Sequence, residues 1–139
     1  MAKNGETLDL MALAGIRNDL DDLRARAQAG DPVAQFNMGV KYAEGSEVPQ
    51  DYQEAARWYS AAADQNDAPA QFNLGLLFYQ GQGLRKDLFC AYELFSLAAA
   101  QGDTRAQAGM TAILGEVPTE LAEELIKNFG QGDQGAATH

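Results

Sequence analysis

The chain repeats itself. Residues 31–66 return in register as residues 67–102, at a constant offset of 36. Ala34, Gln35, Phe36, Asn37 and Gly39 come back as Ala70, Gln71, Phe72, Asn73 and Gly75. Gly45 and Asp51 come back as Gly81 and Asp87. Ala55, Ser60, Ala62, Ala63 and Gln65 come back as Ala91, Ser96, Ala98, Ala99 and Gln101. Other positions keep their character, as Met38 does with Leu74, Tyr42 with Phe78 and Tyr59 with Phe95. A fixed period of this size marks a stacked array, in which one unit cannot bury its apolar face without its neighbours.

Each copy reads as two helices. Ala34, Met38, Gly39 and Tyr42 fall at i, i+4, i+5 and i+8, which is one face of a helix. Gly45 follows, where a left-handed C-cap belongs. The second helix starts at Asp51, a natural N-cap, with Glu54 at capping-box spacing. Its inner face is Tyr52, Ala55, Ala56, Tyr59 and Ala63. Small residues let helices approach, and Trp58, Tyr59 and Phe95 fill the space between layers. Gly75 is expected at a close crossing of the two helices of its repeat. The fold class is therefore all-α, a right-handed α-α superhelix built as a short solenoid of antiparallel helix pairs.

These residues resemble the Sel-1-like repeat family, a relative of the tetratricopeptide repeats. Ala70, Gln71, Asn73, Leu74, Gly75, Gly81, Gly83 and Asp87 match the first half of the family pattern. Ala55, Trp58, Tyr59, Ala62, Ala63 and Gln65 match its second half. The resemblance covers residues 31–102. Two positions depart from it: Glu47 stands for the second glycine in the first copy, and Leu94 for tryptophan in the second. The resemblance implies a protein-interaction scaffold or adaptor. Members assemble signalling or secretion complexes and act in bacterial host interaction and protein quality control. Some have been described as penicillin-binding or hydrolytic.

The flanks read as incomplete repeats. Residues 1–30 hold a mobile start, a short helix over 7–14 and a better helix over 18–29. Asn18 is placed to cap the latter, and Asp19, Asp21 and Asp22 sit in its first turn. Leu23 and Ala27 stand 36 residues before Tyr59 and Ala63, so this helix takes the place of a second repeat helix and caps the array. Residues 103–130 start a third copy in phase, with Ala106, Gln107 and Met110, and Thr111 where Gly75 stood. The turn is shortened at Gly115–Pro118, with Pro118 suited to a first helical position. Leu121, Leu125, Ile126 and Phe129 then share one face, with Glu120, Glu123, Glu124 and Lys127 outside. A charged outer face seals the end of a solenoid. Residues 131–139 are Gly-rich and polar, the composition of a disordered tail. Two full repeats between two caps just meet the roughly three units such a stack needs, so a monomer is expected.

Composition narrows the partner. Twenty acidic residues against ten basic give a net charge of −10. Nucleic acid and anionic membranes both require a basic footprint, so neither is expected. Met1–Ile16 carries Lys3, Asn4, Glu6 and Asp9 and lacks the apolar run of a leader, which makes the cytoplasm the default location. Cys90 is the one cysteine, so the pair per repeat found in some secreted relatives is excluded.

Chemistry has few residues to work with. His139 is the one histidine, which removes the Ser-His and Cys-His nucleophile pairs and the common zinc sets. Gly81-Gln82-Gly83 lacks a third glycine at position 86, where Lys86 stands, and no strand precedes it. Cys90, near a helix N-terminus, reads as a half-buried small residue; a reactive thiol is the sharper alternative. No catalytic residue, cofactor or metal is expected. An enzyme of hydrolytic or penicillin-binding type is the alternative function, disfavoured by the missing histidine and cysteine pair.

Binding is better supplied. Helical spacing leaves Asn37, Lys41 and Glu44 in the free wedge of the first helix, and Asn73, Leu77 and Gln80 in its copy. The family resemblance puts first helices on the concave face. The tetratricopeptide analogy puts an asparagine of this register on a bound peptide, since an amide both donates and accepts. Bonding between neighbouring helices is the other role open to Asn37 and Asn73. Lys41 is the cation expected to favour a partner ending in a carboxylate. The function expected is binding of a peptide or partner domain on the concave face.

Overall fold

Aspartates start five of the helices, at the 36-residue spacing seen in the sequence. In the computed structural model, which describes residues 19–131, the carboxylates of Asp31, Asp67 and Asp103 cap α2 (Pro32–Glu44), α4 (Ala68–Gln80) and α6 (Thr104–Glu116). Asp51 and Asp87 cap α3 (Tyr52–Ala63) and α5 (Leu88–Ala100). Asp67 accepts from the Ala70 N–H at 3.1 Å and Asp87 from the Cys90 N–H at 3.0 Å. Each such cap contributes about 1 kcal/mol by satisfying an orphan donor. Gly45 and Gly81 close α2 and α4 in the left-handed region, at φ 70° and 71°. With α1 (Asp19–Gln28) before and α7 (Thr119–Phe129) after, the described residues hold seven helices and no strand.

Half of the capping box expected at Asp51 and Glu54 forms. Asp51 accepts from the Glu54 N–H at 3.2 Å. Its own N–H already donates to the Tyr42 carbonyl at 2.9 Å, because the turn folds the chain back onto α2. The Glu54 carboxylate turns instead to Arg57, 3.5 Å away.

The helices stack in chain order as a right-handed α-α superhelix, α1 on α2 through to α6, with α7 against α5 and α6. The two helices of each repeat cross at a glycine. A Cβ on Gly39 would lie 2.4 Å from a Tyr59 ring carbon, and one on Gly75 would lie 2.7 Å from Phe95. The aromatic ring occupies the space a side chain would need, as the sequence suggests for Gly75. Along the stack, pairs of one exposed and one buried glutamine tie each layer to the next. Gln65 Nε2 donates to the Gly30 carbonyl at 2.8 Å and to Gln35 Oε1 at 2.9 Å. Gln101, its copy, donates to the Asn66 carbonyl at 3.0 Å and to Gln71 Oε1 at 3.1 Å. Gln35 and Gln71 are the buried polar residues among the apolar core, and both are paired.

The ends are covered as their patterns require. Leu23 and Ala27 of α1 join Ala34 and Met38 in one cluster. Leu125 of α7 is buried, Leu121 and Phe129 pack against the same core, and Glu120, Glu123, Glu124 and Lys127 are exposed. The last turn is shorter than the sequence suggests. α6 runs through Gly115 to Glu116, and Pro118 takes the N-cap position of α7 rather than its first helical position. Tyr92 donates its hydroxyl to the Gly130 carbonyl and pins the end of α7. The helix read over 7–14, the Asn18 cap and the tail from 132 onward lie outside the described residues.

Candidate interaction groove

α3 packs against both first helices, α2 and α4. Between them is a groove of about 250 Å³. α2 supplies Val40, Ala43 and Glu44; α3 supplies Tyr52 and Tyr59; α4 and the turn after it supply Asn73, Leu76, Leu77, Gln80 and Gln82. Four of the six residues singled out in the sequence therefore converge: Glu44, Asn73, Leu77 and Gln80. Their roles differ. Glu44 and Gln80 are exposed at the rim, while Leu77 is 4 % exposed and forms floor.

Asn37 and Lys41 do not line this groove. Asn37 is exposed farther back along α2. Lys41 pairs with Glu47 on the turn after α2. Glu47 is in the left-handed region, at φ 69°, and that conformation carries its carboxylate back over the helix.

Asn73 and Tyr59 form the groove's polar centre. The Asn73 side chain hydrogen-bonds the Tyr59 hydroxyl, and Tyr59 is 3 % exposed. Burial raises the Tyr59 pKa above the usual tyrosine range; the Asn73 bond opposes the rise, and the Glu44 and Tyr52 charges add to it. The amide thus has an intramolecular partner at position 73. The copies on either side do not repeat the pair, because Leu23 precedes Asn37 and Gly109 follows Phe95 at the equivalent positions.

Tyr52, Val40, Ala43, Leu76 and Gln82 were not read from the sequence as lining a groove. The signal for them was present in the offset. Ala43 and Gln80 correspond to Tyr79 and Glu116 one repeat later. There the Tyr79 hydroxyl donates to the Glu116 carboxylate across the next seam. A small residue facing a neutral one leaves the first seam open.

Catalytic chemistry finds no support at the cysteine. Cys90 Sγ donates to Asp87 Oδ2 at 3.3 Å. Burial, then the Asp87 hydrogen bond and charge, push the thiol up to about 11, so it is protonated at neutral pH. Among the described residues no cluster of His, Cys, Asp and Glu is arranged to hold a metal ion. No described helix is long and apolar enough to cross a membrane.

An all-α stack of two glycine-crossed helix pairs, tied by paired glutamines, defines a short α-solenoid. The chain belongs to the Sel1 repeat family. The family's profile matches residues 32–67 and 68–103, the same 36-residue period displaced by one residue from the reading above. Sel1 repeat proteins are in general protein-interaction scaffolds and typically non-catalytic. Two solved structures are similar to it. One is a protective antigen of uropathogenic Escherichia coli strains with an SLR fold, 36 % identical, TM-score 0.68, covering 70 % of this chain and 21 % of that one. The other is a Sel1 repeat protein from Oxalobacter formigenes, 38 % identical, TM-score 0.65, covering 66 % of this chain and 26 % of that one. The chain thus spans about a quarter or less of the length of either structure. No curated protein matches the sequence.

Proposed function

We propose that this protein is an adaptor that binds a segment of another protein in the groove between α2, α3 and α4, acting as a single chain with its two repeats and their capping helices as one unit. The observation that carries this reading is the open seam. The groove has an apolar floor and walls from Val40, Ala43, Leu76 and Leu77, and a polar rim from Glu44, Gln80 and Gln82. Apolar burial supplies affinity there, and a few placed polar groups set orientation. Asn73, already bonded to Tyr59, positions the floor. A photo-crosslinking residue at position 80, with a control at Glu123 on the outer face of α7, tests the reading in the source cell. Crosslinked partners are expected from position 80 and not from 123. Products from 123 alone, or the same products from both, would end it.

A further inference from the structure

Glu44 is the one formally charged residue lining the groove. It forms no ion pair among the described residues. Three cations of the chain have partners elsewhere: Lys41 pairs with Glu47, Arg24 donates to the Tyr42 hydroxyl at 3.3 Å, and Lys86 lies over the Tyr79 ring. A carboxylate at the mouth of a groove with apolar walls, on a chain of net charge −10, attracts a cation and has none of its own. Gln80, Gln82 and Tyr52 line the same groove and each side chain carries an acceptor, with the Tyr52 hydroxyl already accepting from Gln50 Nε2 at 3.4 Å. We propose that the groove takes an arginine side chain, presented by an extended segment of another protein. This rests on the reading of the groove as the binding site.

The physical fit is specific to arginine. Its methylene stem lies on Val40, Ala43 and Leu76, and its head stays at the rim. The guanidinium offers five N–H donors in one plane, enough for a carboxylate and two amide carbonyls together. It is weakly hydrated and stacks on an aromatic ring such as Tyr52. A lysine ammonium has three donors and a tightly held hydration shell, which an apolar-walled groove strips at greater cost.

A random dodecapeptide display library panned on the intact chain tests this. The selected peptides are expected to share an arginine. In a synthetic copy, replacing that arginine by citrulline, its uncharged isostere, should weaken binding at least tenfold, and lysine severalfold. Glu44→Gln should cost the wild-type peptide about tenfold, while Glu123→Gln, an equal loss of charge on α7, should change affinity less than twofold. Backbone amide shifts of Tyr52, Leu76 and Gln82 on peptide addition locate the peptide without any variant. Shifts in the groove with citrulline or lysine bound as tightly as arginine overturn the arginine and leave the groove. Equal losses from Glu44→Gln and Glu123→Gln do the same. Shifts elsewhere, or no peptide recovered, overturn the groove along with it.

Discussion

The seam between α3 and α4 and the seam between α5 and α6 are built from corresponding residues and differ in what they leave open. At the first, Tyr59 is hydrogen-bonded to Asn73, and Ala43 faces Gln80 across a groove. At the second, Phe95 lacks the hydroxyl and Gly109 replaces the amide. A Cβ on Gly109 would lie 2.6 Å from the Phe95 ring, so the helix sits directly on it. Tyr79 and Glu116 then bridge the mouth. Met110, Ile113 and Leu125 complete a larger apolar cluster behind. The same backbone repeat thus serves two ends. One seam is packed to close the stack, and the other keeps a polar-rimmed cavity. The difference lies in pairs of side chains, and each pair is internally consistent: a hydroxyl with an amide, or a ring with a glycine.

The strongest test of that contrast concerns Gly83 and Glu47, which occupy equivalent positions. Gly83 is at φ 73°, and a Cβ there would lie 2.5 Å from the Tyr52 carbonyl carbon. Gly83→Glu combines left-handed strain of about 1–2 kcal/mol with overpacking of about 1–3 kcal/mol against backbone that cannot yield. Denaturant unfolding should show a loss above about 2 kcal/mol. A midpoint equal to wild type would mean the turn does not press on α3.

Next in size is Gly75→Leu, expected to destabilise by about 1–3 kcal/mol because Phe95 already fills the site. Thr111→Leu, at the corresponding exposed position of α6, should stay within about 0.5 kcal/mol. Thermal melts of the two variants side by side decide whether the close crossing belongs to the full repeats and not to the cap.

Exchanging the rings sharpens the comparison further. Phe95→Tyr places a hydroxyl where Gly109 offers no side-chain partner, at a cost of about 1–3 kcal/mol. Tyr59→Phe removes one bond and leaves the Asn73 amide at a groove wetted by solvent, at a cost of about 1 kcal/mol. If Phe95→Tyr proves the milder change, the two seams are not distinguished by the hydroxyl–amide pair.

The smallest effect runs the other way. Glu47→Gly should relieve left-handed strain at φ 69° and lose only a partly exposed ion pair to Lys41. A net gain of about 0.5–1 kcal/mol is expected. A loss of stability would show that the Lys41 pair outweighs the backbone term.

The repeat, its helices and its close crossings were legible because period and pattern are local: aspartate caps, glycine C-caps and Gly75 each act within one or two turns of their own position. Glu44, Asn73 and Gln80 line one groove because a helix fixes which residues share a face. The Lys41 pair with Glu47 was not legible in the same way. Helical spacing gave the lysine its direction, while its partner came from a turn whose left-handed residue cannot be read from a glutamate. Ala43 and Leu76 were passed over because an apolar residue on a helix reads as core until a neighbouring helix fails to cover it.

Sequence alone determined the class of this protein, since a 36-residue period of small and aromatic residues has one economical way to bury its apolar faces, by stacking. Its charge and residue inventory also set the kind of chemistry open to it. Tertiary structure decided which seam stays open. That depends on side chains 37 residues apart facing one another across two helices, Tyr79 with Glu116 and Ala43 with Gln80, and no local signal carries the distance between them. The intramolecular partner of Asn73 was decided the same way, as a single tyrosine hydroxyl that the packing of α3 on α4 brings within reach.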